Sequence, residues 1–411
     1  MKRGPDTTKM VQYRPEFARS GRAVLPYLLL ILAALFLTAA LLTLVRAPNW
    51  VLAWKLTILV GEYGHWLIVL PLGLAAVSAQ VTDGPLRLVT LVLCVASAGA
   101  LARPVLAAWR LSRSLPESLR AAFGPQTPAA PALSWGRLFS GGVRPTARMT
   151  TAVFACPDGQ ELKLDLYGPE ESGGSVRPRP CVIVIHGGGW DGGDRAQLPK
   201  WNPWLVARGY VVAAVSYRLA PRWQWPAQGE DIRAAIAWLK AHAGDCGVDP
   251  TRLVLLGRSA GGQIAAAVGY GAPDPAIRGV IALYAPHDMP FVWSVSRGDD
   301  VLNSLKLMQQ YMGGPPEGSR EAHYHSASAQ SLAQAGSPPT LLVHGDPDTL
   351  SWVRHSERLS ARLAELNVPH YFLRLPWATH AFDFNLHGPG SQLTGYAMEW
   401  FLAAVTKSPR D

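Results

Sequence analysis

Residues 24–45, VLPYLLLILAALFLTAALLTLV, run for 22 residues without a charged side chain. At a rise of about 1.5 Å per residue, a helix of that length reaches across the roughly 30 Å hydrocarbon core of a bilayer. Lipid offers no water to backbone N–H and C=O groups, so such a run can only be a helix there. It is longer than the apolar stretch of a secretory signal, and further apolar segments follow it, so a retained transmembrane helix is expected. Charged residues make up 16% of the 411, well under the quarter or so usual in soluble domains, while apolar residues stand at 49%.

Residues 50–80 are apolar but carry Lys55, Glu62 and His65, with Trp50, Trp54 and Trp66 where interfacial aromatics would sit. The pattern predicts an interfacial helix over 50–61 and a second span over 63–80, with Glu62 and His65 at the membrane boundary. After Asp83-Gly84-Pro85, residues 86–102 form a third predicted span, closed by Arg103 and Pro104.

The net charge of +9 would ordinarily suggest nucleic acid or an anionic surface as partner. Its distribution chooses. Residues 1–22 carry six basic against two acidic side chains, and residues 103–148 carry seven Arg against Glu117 alone. Residues 149–411 are left at −2, so the basicity brackets the apolar region, pointing to a lipid bilayer and excluding nucleic acid. Basic residues ahead of the first span place the N-terminus in the cytoplasm, and three spans then put the C-terminal domain on the outer face; the arginines after residue 102 pull the other way. The predicted layout is a basic tail (1–23), a multi-pass transmembrane region (24–103), a juxtamembrane linker rich in Pro, Ala, Gly and Arg (104–148), and a large domain (149–411).

Beyond residue 149, buried-strand patterns such as CVIVIHGGG (181–189), YVVAAVSYR (210–218) and TLLVHGD (340–346) alternate with helical ones such as DIRAAIAWLKAHA (231–243). That alternation implies an α/β domain with a mostly parallel sheet covered by helices on both faces. Cys94, Cys156, Cys181 and Cys246 show no paired spacing, so neither a metal site nor a disulfide framework is expected.

Gly257-Arg258-Ser259-Ala260-Gly261 lies between the apolar strand LVLL and the helix-compatible IAAAV. A serine hydroxyl needs a fixed geometry and a base to act as a nucleophile; a sharp strand-to-helix turn supplies the first, and glycines on either side give the backbone room. His186-Gly187-Gly188-Gly189-Trp190 ends an earlier strand. Glycines there let backbone N–H groups approach a developing oxyanion; a phosphate-cradling role fails because no Lys-Ser/Thr follows.

These motifs, with SYRLAP (216–221), GVDPTRLVLLGRSAGG (247–262), VHGDPD (343–348) and THAFDF (379–384), resemble the α/β-hydrolase superfamily over about residues 150–405. The resemblance is to the carboxylesterase branch similar to hormone-sensitive lipase. It implies an α/β-hydrolase fold preceded by an all-α membrane region. It also implies Ser259 as nucleophile, His380 as base, and Gly188, Gly189 and Ala260 as oxyanion donors. Asp348 matches the family's acid position, two residues beyond the competing Asp346. The implied reaction is cleavage of a small-molecule or lipid ester without cofactor, with Trp190 lining the acyl pocket. His186 and Asp231 are expected to be structural, Asp231 as a helix cap or scaffold carboxylate. An amidase or peptidase on the same fold, and a catalytically silent membrane scaffold, are the alternatives.

Overall fold

The computed structural model describes residues 17–142, 145–169 and 177–407; the expected basic tail falls largely outside them. Four helices lead: α1 (Phe17–Leu41), α2 (Val51–Leu67), α3 (Val69–Val81) and α4 (Gly84–Phe123). Among the described residues, two helices are long and apolar enough to cross a membrane, Val24–Leu41 and Gly84–Phe123. The α2–α3 pair, bent by 59°, would make a third if taken as one broken span. Leu29 and Ala33 of α1, Leu74 of α3 and Cys94 of α4 pack together, and further along Ala40, Val60 and Leu101 form a second cluster. Gly64 is where α2 meets α4: a Cβ there would run into the Leu101 backbone.

Two sequence expectations are corrected here. The predicted break near residue 62 lies at Ile68, and Glu62 is 1% exposed, packed against the α/β domain. Trp377 Nε1 donates to Glu62 Oε1 at 3.4 Å and the Gly390 N–H to Oε2 at 3.2 Å, so α2 buries Glu62 against protein. Its outward side keeps Trp50, Leu52, Leu59 and Trp66 exposed. The other correction concerns Pro104, where the third helix was expected to stop. α4 instead continues to Phe123. Pro104 has no N–H to offer the Ala100 carbonyl, and the Thr43 hydroxyl donates to it at 3.1 Å instead. Past that point Leu115 and Leu119 join the core of the α/β domain beside Trp400 and Phe401.

The sheet has eight strands, β1 (Arg148–Ala155), β2 (Leu162–Gly168), β3 (Arg179–Ile185), β4 (Val211–Val215), β5 (Val248–Arg258), β6 (Ile277–Leu283), β7 (Thr340–Gly345) and β8 (His370–Leu375). Their order is β1-β2-β4-β3-β5-β6-β7-β8. β1, β2 and β4 pair antiparallel and the rest parallel. Side chains alternate across the pleat. Ile183, Ile185, Leu253 and Leu255 face one core with helices Ala227–Ala241 and Ala260–Gly271, while Val182, Val184, Val254 and Leu256 face the other with Pro389–Val405. Both faces are covered, as a parallel sheet requires, and its functional loops gather at the C-terminal ends of β3, β5, β7 and β8.

Candidate active site

β5 ends at Arg258 and the next helix begins at Ala260, so Ser259 alone makes the turn, at φ 50° and ψ −121°. A non-glycine residue at positive φ is strained, and such strain persists only where neighbours over-determine it. Here they do. The Ser259 N–H donates to the Leu283 carbonyl at 2.9 Å, a Cβ on Gly257 would overlap the Gly261 carbonyl, and one on Gly261 would overlap those of Ile185 and His186.

The turn presents Ser259 Oγ to His380 Nε2 at 2.9 Å, and His380 Nδ1 lies 2.8 Å from Asp348 Oδ2. With the Nδ1–H donating to the carboxylate, Nε2 is free to accept the serine proton. Asp348 follows β7 and is fully buried. Its Oδ1 accepts the N–H groups of Leu350 and Ser351 at 2.8 and 2.9 Å, and His344 Nε2 stands 3.3 Å from Oδ2. Burial would raise this carboxyl, but the facing His380 and His344 outweigh it and hold it well below the usual carboxylate range. Asp346, the competing carboxylate, is drawn to the surface by Arg374 at 2.5 Å.

The glycine loop faces the same serine. Gly188 and Gly189 sit at φ 127° and 61°, and a Cβ on Gly188 would overlap the Gly192 carbonyl. Among the described residues, the N–H groups of Gly188, Gly189 and Ala260 donate to no protein acceptor. The Gly187 N–H is instead taken by Gln197 Oε1 at 2.7 Å. His186 anchors the loop: its ring stacks on Tyr217 at 4.2 Å, whose hydroxyl donates to the His186 carbonyl at 3.0 Å. Asp231 is a scaffold carboxylate inside its helix, holding Arg218 at 2.8 Å, and not a cap.

Two cavities meet at Ser259. One, of about 330 Å³, is lined by Trp190, Val292, Met308, Trp352 and Arg46; the other, of about 400 Å³, by Leu198, Val301, Leu302, His380 and Trp54. Trp190 thus lines the first of these cavities. Its indole N–H donates to Gln263 Oε1 at 2.8 Å and its ring stacks on Tyr311 at 4.4 Å. Gln263 was detectable as a lone polar residue in an apolar helical run. Trp54 and Arg46 were not. Trp54 Nε1 donates to the His380 carbonyl at 3.1 Å and Arg46 Nη2 to the Asp348 carbonyl at 3.0 Å, so α2 and the segment before it brace both loops.

A second support lies under the serine. Arg258 Nε donates to Asp383 Oδ2 at 2.5 Å, and the Tyr284 hydroxyl to Oδ1 at 2.6 Å, all buried. The Tyr284 ring packs against His380 with centroids 4.5 Å apart. This network ties the residue before Ser259 to the loop carrying His380. Asp383→Ala would leave Arg258 buried without its counter-charge, a loss of about 3–5 kcal/mol. We expect the thermal midpoint in detergent to fall by several degrees, and Arg258→Met with Asp383→Leu to restore much of it; an unchanged midpoint in the single variant would show that the pair is not structural. No group of three or more His, Cys, Asp or Glu side chains that could hold a metal ion occurs among the described residues.

Residues 164–363 match the BD-FAE family model. The chain is 26% identical over 379 residues to the probable carboxylic ester hydrolase LipM of Mycobacterium tuberculosis, a match covering 86% of each protein. It is 30% identical over 249 residues to esterase LipC of the same organism, covering 57% of this chain and 60% of that one. Among solved structures, a fungal esterase from Rhizomucor miehei is 25% identical with a TM-score of 0.55, covering 72% of this chain and 91% of its own. The chain has an α/β-hydrolase fold and is similar to proteins named as carboxylic ester hydrolases and esterases.

Proposed function

We propose that this protein is a membrane-anchored serine carboxylesterase. Ser259 attacks the ester carbonyl while His380 takes its proton, and Asp348 fixes the imidazole tautomer and stabilises the imidazolium. The free N–H groups of Gly188, Gly189 and Ala260 stabilise the tetrahedral oxyanion. His380 returns the proton to the departing alcohol, leaving an acyl group on Ser259, and then activates the water that hydrolyses it. The observation that carries the reading is the continuous hydrogen-bonded line from Ser259 Oγ through His380 to Asp348, in two steps of 2.9 and 2.8 Å.

Membrane anchoring is supported by α1 and α4, with α2–α3 as a broken third crossing. On the charge pattern of the first flank, the catalytic domain lies on the outer face. Hydrolysis of p-nitrophenyl esters of increasing chain length, beside matched anilides, tests the reaction class. The ester series should be cleaved far faster than the anilides, while equal or faster anilide cleavage would make this an amidase.

A further inference from the structure

The segment joining the first two helices reaches the site from outside the α/β domain. Arg46 comes one residue after the 22-residue apolar run and lines the cavity that holds Ser259, Trp190 and Trp352. Its guanidinium stands 5.0 Å from the centre of the Trp352 ring, and that of Arg354 stands 4.3 Å from the same ring. Among the described residues, no carboxylate lies within ion-pair distance of either cation.

The other ionisable groups around this cavity are held by neighbours. Asp300 accepts the N–H groups of Leu302 and Ser304, each at 3.0 Å, and Arg297 pairs with Asp299 at 2.8 Å. His355 is buried and its pKa is pulled down to about 3, chiefly by that burial and by His344, so it stays neutral. Arg46 thus brings a guanidinium to the wall of the cavity that holds Ser259, on the same Trp352 ring as Arg354. Arginine forks suit phosphate and carboxylate groups. The surroundings are apolar: Trp50, Val51 and Leu52, at the start of α2, are 68%, 50% and 66% exposed, and Leu302, which lines both cavities, is 38% exposed.

We propose that Arg46 is a specificity-determining residue which receives an anionic group, phosphate or carboxylate, on the acyl ester cleaved at Ser259. The proposal rests on the serine-esterase reading and names its substrate class. The position of Arg46, directly after the apolar run that includes α1, suits an amphiphile whose chain stays in the bilayer while its head group reaches the cavity.

The test uses the full chain in phosphatidylcholine proteoliposomes. The substrates are a vesicle-borne pair, 1-oleoylglycerol and 1-oleoylglycerol 3-phosphate, and a soluble pair with butyryl in place of oleoyl. For the wild type, kcat/KM should favour the phosphate-bearing member by about tenfold, the size of one charge-assisted contact. Arg46→Ala should bring that ratio close to one, and Arg46→Lys should keep part of it. Because Arg46 also braces the Asp348 loop, its loss lowers both members of a pair together, and the ratio separates recognition from alignment. Preference confined to the vesicle pair identifies a lipid substrate; preference in the soluble pair identifies an anionic ester whatever its source. Absence of preference in the wild type, or an unchanged ratio in Arg46→Ala, overturns the proposal. Fluorophosphonate labelling of Ser259 in the same samples reports the underlying esterase reading separately.

Discussion

Ser259→Ala should lower kcat for p-nitrophenyl butyrate by about 10⁶-fold, the loss seen when a triad nucleophile is removed, while KM changes little. The size of the effect comes from the mechanism. In the proposed mechanism the loss of Oγ removes the acyl-enzyme route, leaving the proposed oxyanion donors acting on direct attack by water. The serine's own ground-state contacts are few, and the cavities that hold substrate, lined by Trp190, Met308 and Leu302, are untouched. The variant should also fold as the wild type does, since the turn is fixed by Gly257, Gly261 and the bond to the Leu283 carbonyl and not by the hydroxyl. A residual rate within a hundredfold of wild type would mean that another group is the nucleophile.

Asp348→Asn should cost about 10⁴ in kcat at neutral pH. An amide can donate to His380 Nδ1, stabilising the tautomer whose Nε2 carries a proton and cannot accept one from Ser259, and it removes the charge that offsets the imidazolium. The same substitution has a signature in stability. Asp348 is held below the usual carboxylate range, so its contribution is fully present above the unfolded value of about 3.9 and is lost as pH falls through the folded value. The gap in thermal midpoint between wild type and Asp348→Asn should therefore be widest near neutrality and narrow once the pH drops below about 4. A gap that widens on acidification would contradict the assignment of Asp348 as a stabilised carboxylate.

The parts of this site that were legible in the sequence are those carried by local backbone requirements. A serine forced to φ 50° between a strand and a helix needs small neighbours, so GRSAG announces itself, and the HGGGW loop does so for the same reason. Asp348 and His380 were legible only through family motifs, because a carboxylate two residues away, Asp346, has the same local setting and differs only in facing Arg374. The Arg258–Asp383 pair joins residues 125 apart, and the bonds from Arg46 and Trp54 to the Asp348 and His380 carbonyls span 302 and 326 residues. No periodicity reports such contacts.

The membrane-proximal errors have one cause. Hydropathy registers that a segment avoids water, but not whether lipid or protein covers it. Hydropathy therefore gave no sign that the Glu62 carboxyl group meets Trp377 and Gly390 of the α/β domain. Pro104 looked like a stop because the hydroxyl that takes over its missing hydrogen bond belongs to Thr43, on another segment. The result is a helical region that is not a detachable anchor, since α2 and α4 pack into the domain that carries the chemistry.

The central claim is that Ser259 is an activated nucleophile. Treating the full-length protein with a fluorophosphonate and determining its intact mass, followed by mapping of the modified peptide, tests it most directly. The account predicts one adduct per chain, on Ser259, absent from Ser259→Ala; no adduct on the folded wild-type protein, or one at another residue, would contradict it.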